Sequence, residues 1–146
     1  MQDFIFTSAL CRQLAEAAEE AQKEIGVHIS LAISDPHGNL RFFCRFGDAI
    51  VPSIEIAQNK AYTAAVLGQS TRAFGQIAQA GGAAFGINVT HPKLVIFGGG
   101  FPLQAEGKTV GGLGVSGGSV EQDEKIAAHA LEAFQNYVKN TNRQTL

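Results

Sequence analysis

Cysteine is scarce in this chain. Cys11 and Cys44 are the only two, they fall on a predicted helix and a predicted strand, and no C-x-x-C spacing gives either a partner. Reduced packing thiols are expected rather than a disulfide or a zinc site, which goes with a cytoplasmic location. Charge is scarce as well: Asp, Glu, Lys and Arg make up 16% of the 146 residues, and 11 basic against 13 acidic side chains leave a net charge of -2. No Lys/Arg cluster stands out, so neither nucleic acid nor an anionic membrane surface is an expected partner. The opening MQDFIFTSAL lacks the basic and then sustained apolar segments of a signal peptide, and no later run is apolar for long enough to span a bilayer. The four histidines show no H-x-x-x-H spacing and sit beside no Cys or carboxylate cluster, which argues against a structural metal site. With 45% hydrophobic residues, one globular domain over residues 1–146 is expected, with no internal repeat.

Glycine, by contrast, is abundant, and it concentrates between Phe97 and Asp123. Glycine loses more backbone freedom on folding than any other residue, so such a segment needs a geometric reason: φ > 0 in turns, or close approach by a backbone or ligand. The segment reads as a hairpin, with Phe101 and Leu103 in its first arm and Ala105–Lys108 as the connection, followed by a tight turn into a helix. In the second arm Val110, Gly112, Gly114 and Ser116 share one face, and Gly111, Leu113 and Val115 the other. The nearly bare face suits either a closely packed helix, the favoured reading, or a shallow floor for a flat ligand. Ser119 and Gln122 form a capping-box pair at the next helix start. Glu121, Asp123 and Glu124 crowd that start and would repel a phosphate. The Gly112–Gly117 match to G-x-G-x-x-G lies within a strand and is not a dinucleotide fingerprint.

Along the rest of the chain, Leu10, Leu14, Ala17, Ala18, Ala21 and Ile25 recur at helical spacing from Thr7 or Ser8 to Ile25, and Gly26 ends that helix. Alternation from Val27 to Ser34 and from Leu40 to Arg45, joined by the turn Asp35-Pro36-His37-Gly38, predicts a hairpin. Pro52 and Ser53 open a second helix reaching about Leu67, whose face of Ile54, Ala57, Ala61, Ala64 and Ala65 is small enough to press on the sheet. A third helix is predicted over 71–78 with Phe74 and Ile77 inward, an irregular connection over 79–92, and a strand over 93–97. The final helix should run from Ser119 to about Val138, with Val120, Ile126, Ala127, Ala130 and Phe134 inward and a frayed polar tail from Asn140. The fold class is α+β: a single layered domain with an antiparallel sheet of about five strands and helices packed on it.

Lys60 sits mid-helix beside the small face. A lysine at such a position is ordinarily a snorkelling surface residue. If that helix covers the glycine strand, however, Lys60 can meet Asp123 or Glu124 at the Gly98–Pro102 turn and form a polar pocket for a carboxylate or carbonyl. The acidic pair has its own plain role, stabilising a helix N-terminus by at most about 1 kcal/mol. Ser116 and Ser119 have no histidine partner for nucleophilic catalysis. His37 belongs to a turn and His129 to the margin of the last helix's inner face. His28 and His91 are the two candidates for an iron ligand or an acid/base.

The runs Asn59–Ala64, Phe97–Pro102, Val110–Gly118 and Gln122–Ala127 together resemble the GlcG/HbpS-like haem-degrading domain family, a domain also attached to the C-terminus of propanediol-utilisation cobalamin adenosyltransferases. The resemblance implies a profilin-like α/β/α fold, assembly into homo-oligomers and, for some members, haem binding or breakdown. The matching positions are Lys60, Gly98, Gly99, Gly100, Pro102, Gly117, Asp123 and Glu124, which are then the expected ligand-binding residues. No histidine matches a shared iron motif. Adenosyltransferase chemistry belongs to another domain. Two functions are carried forward: a homo-oligomeric binder of haem or a related tetrapyrrole, or an enzyme or accessory protein acting on a small hydroxy acid, aldehyde or diol.

Overall fold

A computed structural model describes residues 4–144. Helix α1 (Ser8–Ile25) starts at Thr7, whose hydroxyl accepts from the Leu10 N–H at 3.1 Å, and stops at Gly26, which is left-handed at φ 87° and donates to the Gln22 carbonyl. Strands β1 (Ser30–Ser34) and β2 (Leu40–Arg45) form the expected hairpin. Its turn is closed by Gly38 N–H donating to Asp35 O, while the Asp35 carboxylate accepts from the backbone of His37 and Asn39. Helices α2 (Pro52–Leu67), α3 (Thr71–Ala78) and α4 (Ile87–Thr90) come next, then β3 (Gly100–Ala105), β4 (Lys108–Ser116) and α5 (Val120–Gln144). Glu106 and Gly107, both at positive φ, make the two-residue turn between β3 and β4.

The strands form one antiparallel sheet in the order β2-β1-β4-β3. Among the described residues it has four strands, not five. Residues 93–97 do not pair with a strand because α2 takes their polar groups: the Thr63 hydroxyl donates to Lys93 O at 2.9 Å and accepts from Val95 N–H at 2.9 Å. The connection expected to be irregular contains the short helix α4. Helix α5 continues past Val138 to Gln144, so the tail from Asn140 is helical that far, and residues 145–146 lie outside the described set. Ile77, Val120 and His129 were expected inward or at the packing margin and are exposed. Each flanks a helical stripe whose neighbours, Phe74 and Ala78 or Ile126 and Ala130, already fill the interface.

Helices lie on both faces. Leu10, Leu14 and Ala18 of α1 and Ile126, Ala130 and Phe134 of α5 cover Leu31, Ile33, Leu103, Leu113 and Val115 in the main core. The alternation of β4 then leaves Gly112 and Gly114 for the opposite face, where α2 lies so close that an added Cβ would run into the carbonyl oxygens of Ala61 and Ala57. The packing reading of the bare strand is therefore the one the fold uses. Both cysteines are free, Cys11 buried and Cys44 half-buried. Among the described residues, no helix is long and apolar enough to cross a membrane.

Candidate functional site

Because α2 lies flat on glycine, the stem of Lys60 crosses Gly114 and is enclosed between β4 and the Gly98–Gly100 turn. Lys60 is fully buried, which overturns the snorkelling expectation. The close approach forced by small residues leaves the stem no route to water. Its Nζ donates to Val115 O at 2.8 Å and to Asp123 Oδ2 at 3.2 Å, and lies 5.2 Å from the centre of the Phe97 ring. Asp123 Oδ1 accepts from Gly118 N–H at 2.9 Å. The capping box forms as expected, with Ser119 Oγ accepting from Gln122 N–H and Gln122 Oε1 from Ser119 N–H. That cap orients the first turn of α5, and with it Asp123.

The triglycine turn is shaped by what it encloses. Gly99, at φ 117°, faces the Lys60 amine, and a Cβ there would sit 2.5 Å from Nζ. Gly100 lies against the Lys60 backbone and donates its N–H to Thr71 Oγ1 at 2.9 Å. Gly98 lies against the Glu124 carboxylate, whose Oε2 is buried with no hydrogen-bond partner among the described residues. Gly117, at φ 141°, presses on the His28 carbonyl, and its amide dipole faces the Asp123 carboxylate. Pro102 stands two residues further along β3, opposite Gly112 on an edge strand, where its missing N–H is tolerated. The structure thus brings Lys60, Gly98, Gly99, Gly100, Gly117, Asp123 and Glu124 together.

Burial lowers the pKa of the Lys60 amine, and the facing Asp123 carboxylate pulls it back up. Burial likewise raises Asp123, opposed by Lys60 and by the Gly118 and Gly117 amides. Glu124 is also raised by burial, with Arg72 and Lys60 acting the other way. As folded, this cluster ties α2 to the start of α5. A desolvated amine is a good nucleophile, but a ligand reaches this one only if the turn opens.

A second arrangement opens to solvent at the start of β1. His28 Nδ1 lies 2.6 Å from Asp48 Oδ1, both side chains are exposed, and this hydrogen bond holds the Asp48 carboxyl below its usual range. Gly47, at φ 50°, lies against the imidazole and leaves no room for a side chain. The pair borders an open cleft of about 650 Å³ that includes Lys23, Val27, Ile50 and Gly117. The Asp48 N–H also approaches Nδ1, at 3.3 Å, so Nδ1 either donates to the carboxylate or accepts from that amide; in the first tautomer the ring keeps a lone pair on Nε2, as metal-binding imidazoles are commonly held. Sequence spacing singled out His28 and missed Asp48, 20 positions away. The hairpin register could have found it: Ser30 pairs with Arg45, so the residues just before β1 and just after β2 must meet. His91, the other candidate, shares a hydrogen bond of 3.3 Å with the Tyr62 hydroxyl.

A family model described as haem degrading protein HbpS-like matches residues 6–132. The chain belongs to the HbpS-like haem-degrading family. It is 41% identical over 129 residues to an uncharacterised 15.0 kDa protein in the dhaT-dhaS intergenic region of Citrobacter freundii, covering 88% of this chain and 91% of that one. It is 40% identical to the corrinoid adenosyltransferase PduO of Salmonella typhimurium, covering 84% of this chain but 37% of PduO. The chain therefore spans little more than a third of that enzyme. A solved structure of a PduOC:heme complex superposes with a TM-score of 0.85 at 37% identity, covering 89% of this chain and 95% of the other. The α+β architecture is thus that of the HbpS-like family.

Proposed function

We propose that this HbpS-like protein binds haem, which His28 would hold at its iron while Asp48 fixes the imidazole. The observation that carries the proposal is a solvent-open imidazole with a carboxylate on Nδ1 and no hydrogen-bond partner on Nε2 among the described residues, in a chain similar along most of its length to one solved as a heme complex. The surroundings fit the group: Val27 and Ile50 offer apolar surface to a porphyrin, and Lys23 offers a cation to a propionate. Bound haem would supply iron for ligand and redox chemistry; His28 would position it, and Asp48 would fix the tautomer and raise the basicity of the ring. The reading includes a reducing, intracellular setting for the free cysteines and assembly into a homo-oligomer, for which exposed Phe85 and Val89 provide apolar surface. Hemin titration of the purified protein should give a saturable Soret shift at micromolar concentration, and His28→Ala should abolish or displace it. No saturable shift in the unaltered protein would remove haem from the account.

A second reading keeps Lys60, Gly98–Gly100, Pro102, Gly117, Asp123 and Glu124 as the lining of a pocket for a small hydroxy acid, aldehyde or diol. The lowered pKa of the buried amine favours it, since a neutral lysine can form a Schiff base with an aldehyde. Borohydride trapping with glycolaldehyde would add covalent mass at Lys60 if the turn opens, and none if it stays closed.

A further inference from the structure

On the other side of α2 from the sheet, Glu55, Gln58, Asn59 and Tyr62 recur at i, i+3, i+4 and i+7 and so share one helix face. A polar face of this kind usually meets open water. Here it lines a cleft of about 400 Å³ whose other walls are Ser34 at the end of β1, Gly38 and Asn39 of the following turn, Leu40 at the start of β2, and Lys93. Neither the turn nor Lys93 is loose. The turn is braced by Asp35, whose carboxylate accepts from His37 N–H, Asn39 N–H and the Asn39 carboxamide, and Gly38 lies directly against the Tyr62 ring. On the opposite lip, the Lys93 ammonium stands 5.2 Å over the centre of that ring, while the Tyr62 hydroxyl is fixed by His91.

The free hydrogen-bonding groups in this cleft have an order along the helix. At one end is the Lys93 cation, with no partner but the Tyr62 ring among the described residues. In the middle is the Asn59 carboxamide, which has no side-chain hydrogen bond among the described residues, beside Gln58, whose amide donates to Ile54 O and leaves its oxygen free. At the far end is the Glu55 carboxylate. Seven helical residues separate Glu55 from Tyr62, a rise of about 10 Å. An α-amino acid carries its two charges far too close together to reach both ends. Two carboxamides and a carboxylate are side chains that exchange hydrogen bonds with vicinal hydroxyls, the carboxamides donating and accepting and the carboxylate accepting. A cation at one end selects an anion there.

From this order we propose that the cleft binds an open-chain polyhydroxylated carboxylate of the sugar-acid class, with its carboxylate at Lys93 and its hydroxyls along Asn59, Gln58 and Glu55. The proposal is independent of haem binding at His28, which lies in a different cleft.

Gluconate is the probe, titrated into isotopically labelled full-length protein and followed by amide and side-chain shifts. Saturable shifts at Asn59, Tyr62 and Lys93 are expected, with Lys93→Gln and Asn59→Ala each weakening affinity by about tenfold, the value of one charged or bidentate contact. Both positions are surface-lining, and preserved spectra elsewhere will report that the variants are folded. His28→Ala should bind gluconate as the unaltered protein does. Glucose, which has the hydroxyls without the carboxylate, should bind at least about tenfold more weakly. No saturable shift with gluconate, equal binding of glucose, or undiminished binding by folded Lys93→Gln would each overturn the assignment.

Discussion

Replacing Lys60 by methionine tests whether the buried amine holds α2 in place. Methionine keeps the length and apolar bulk of the stem, so the substitution opens little cavity and isolates the ammonium. Two hydrogen bonds are lost, to Val115 O and to Asp123 Oδ2. Each hydrogen bond to a charged group contributes about 1.5–3 kcal/mol, and removing one member of a buried pair costs about 3–5 kcal/mol because the other is left uncompensated. Asp123 keeps its Gly118 donor and can take up a proton, which places the expected loss near the middle of that range, about 4 kcal/mol. Asp123→Asn alone leaves a buried ammonium with one carbonyl and should cost about 3 kcal/mol. The double variant removes both members of the Lys60–Asp123 pair, so it should be more stable than the sum of the singles implies, by at least about 2 kcal/mol. Urea unfolding followed by circular dichroism reads this directly: with a slope of about 2 kcal/mol per molar, Lys60→Met should lower the midpoint by about 2 M. Single variants each within about 1 kcal/mol of the unaltered protein, with no coupling between them, would show that the tie does not exist.

Gly114→Ala should destabilise by about 3 kcal/mol or more by the same unfolding assay, because its methyl would strike the backbone of α2 rather than a side chain that can turn away. Gly107→Ala, with open space around its turn, should cost only the strain of its positive φ, about 1 kcal/mol. Glu124 gives a pH signature. Its pKa is raised above the usual 4.5 by burial, so the folded state binds more protons than the unfolded one, and the associated stability is present below pH 4.5 and lost as pH rises through the folded value. Glu124→Gln should remove that decline, gaining on the unaltered protein as pH rises toward neutrality; a constant difference across the range would contradict the burial argument. Finally, Asp48→Asn should weaken hemin binding by about tenfold while leaving the urea midpoint unchanged, since both members of the His28–Asp48 pair are exposed.

How far these features could be read in advance depended on whether the signal was local. The ends of α1, the turn at Asp35–Gly38, the extent of α3 and the Ser119–Gln122 cap are set by side chains within four residues of the backbone they satisfy, and all are legible in the sequence. Residues 93–97 have the composition of a strand, yet Thr63, some 30 positions earlier, supplies the partner for their backbone groups. Nothing nearby in the chain announces that substitution. Lys60 shows both sides of the problem. The small residues of α2 and the glycines of β4 are visible separately, and together they imply an approach at which a lysine stem has no exit. Lys60 considered on its own reads as a surface residue.

That close approach also explains why polar groups of three kinds gather on one helix. Packed on glycine, α2 buries its alanines with little side-chain volume between backbone and sheet, so the helix lies deeper than an average layer would. Lys60, just beside the contact line, is drawn under the Gly98–Gly100 turn and needs an internal counter-charge, which Asp123 supplies at the capped start of α5. The polar face of Glu55, Gln58, Asn59 and Tyr62, turned the other way, is brought down against the β1–β2 turn and becomes the floor of a cleft instead of a solvated surface. The residue that links these regions to the His28 side is Gly117, next to the Gly118 N–H that holds Asp123 and itself packed on the His28 carbonyl. A side chain at Gly117 would strike the backbone of His28 and Ile29, and φ 141° would be strained for any residue but glycine. The close packing at that single position therefore sets how the start of α5, which carries Asp123, lies against the backbone at the start of β1, which carries His28.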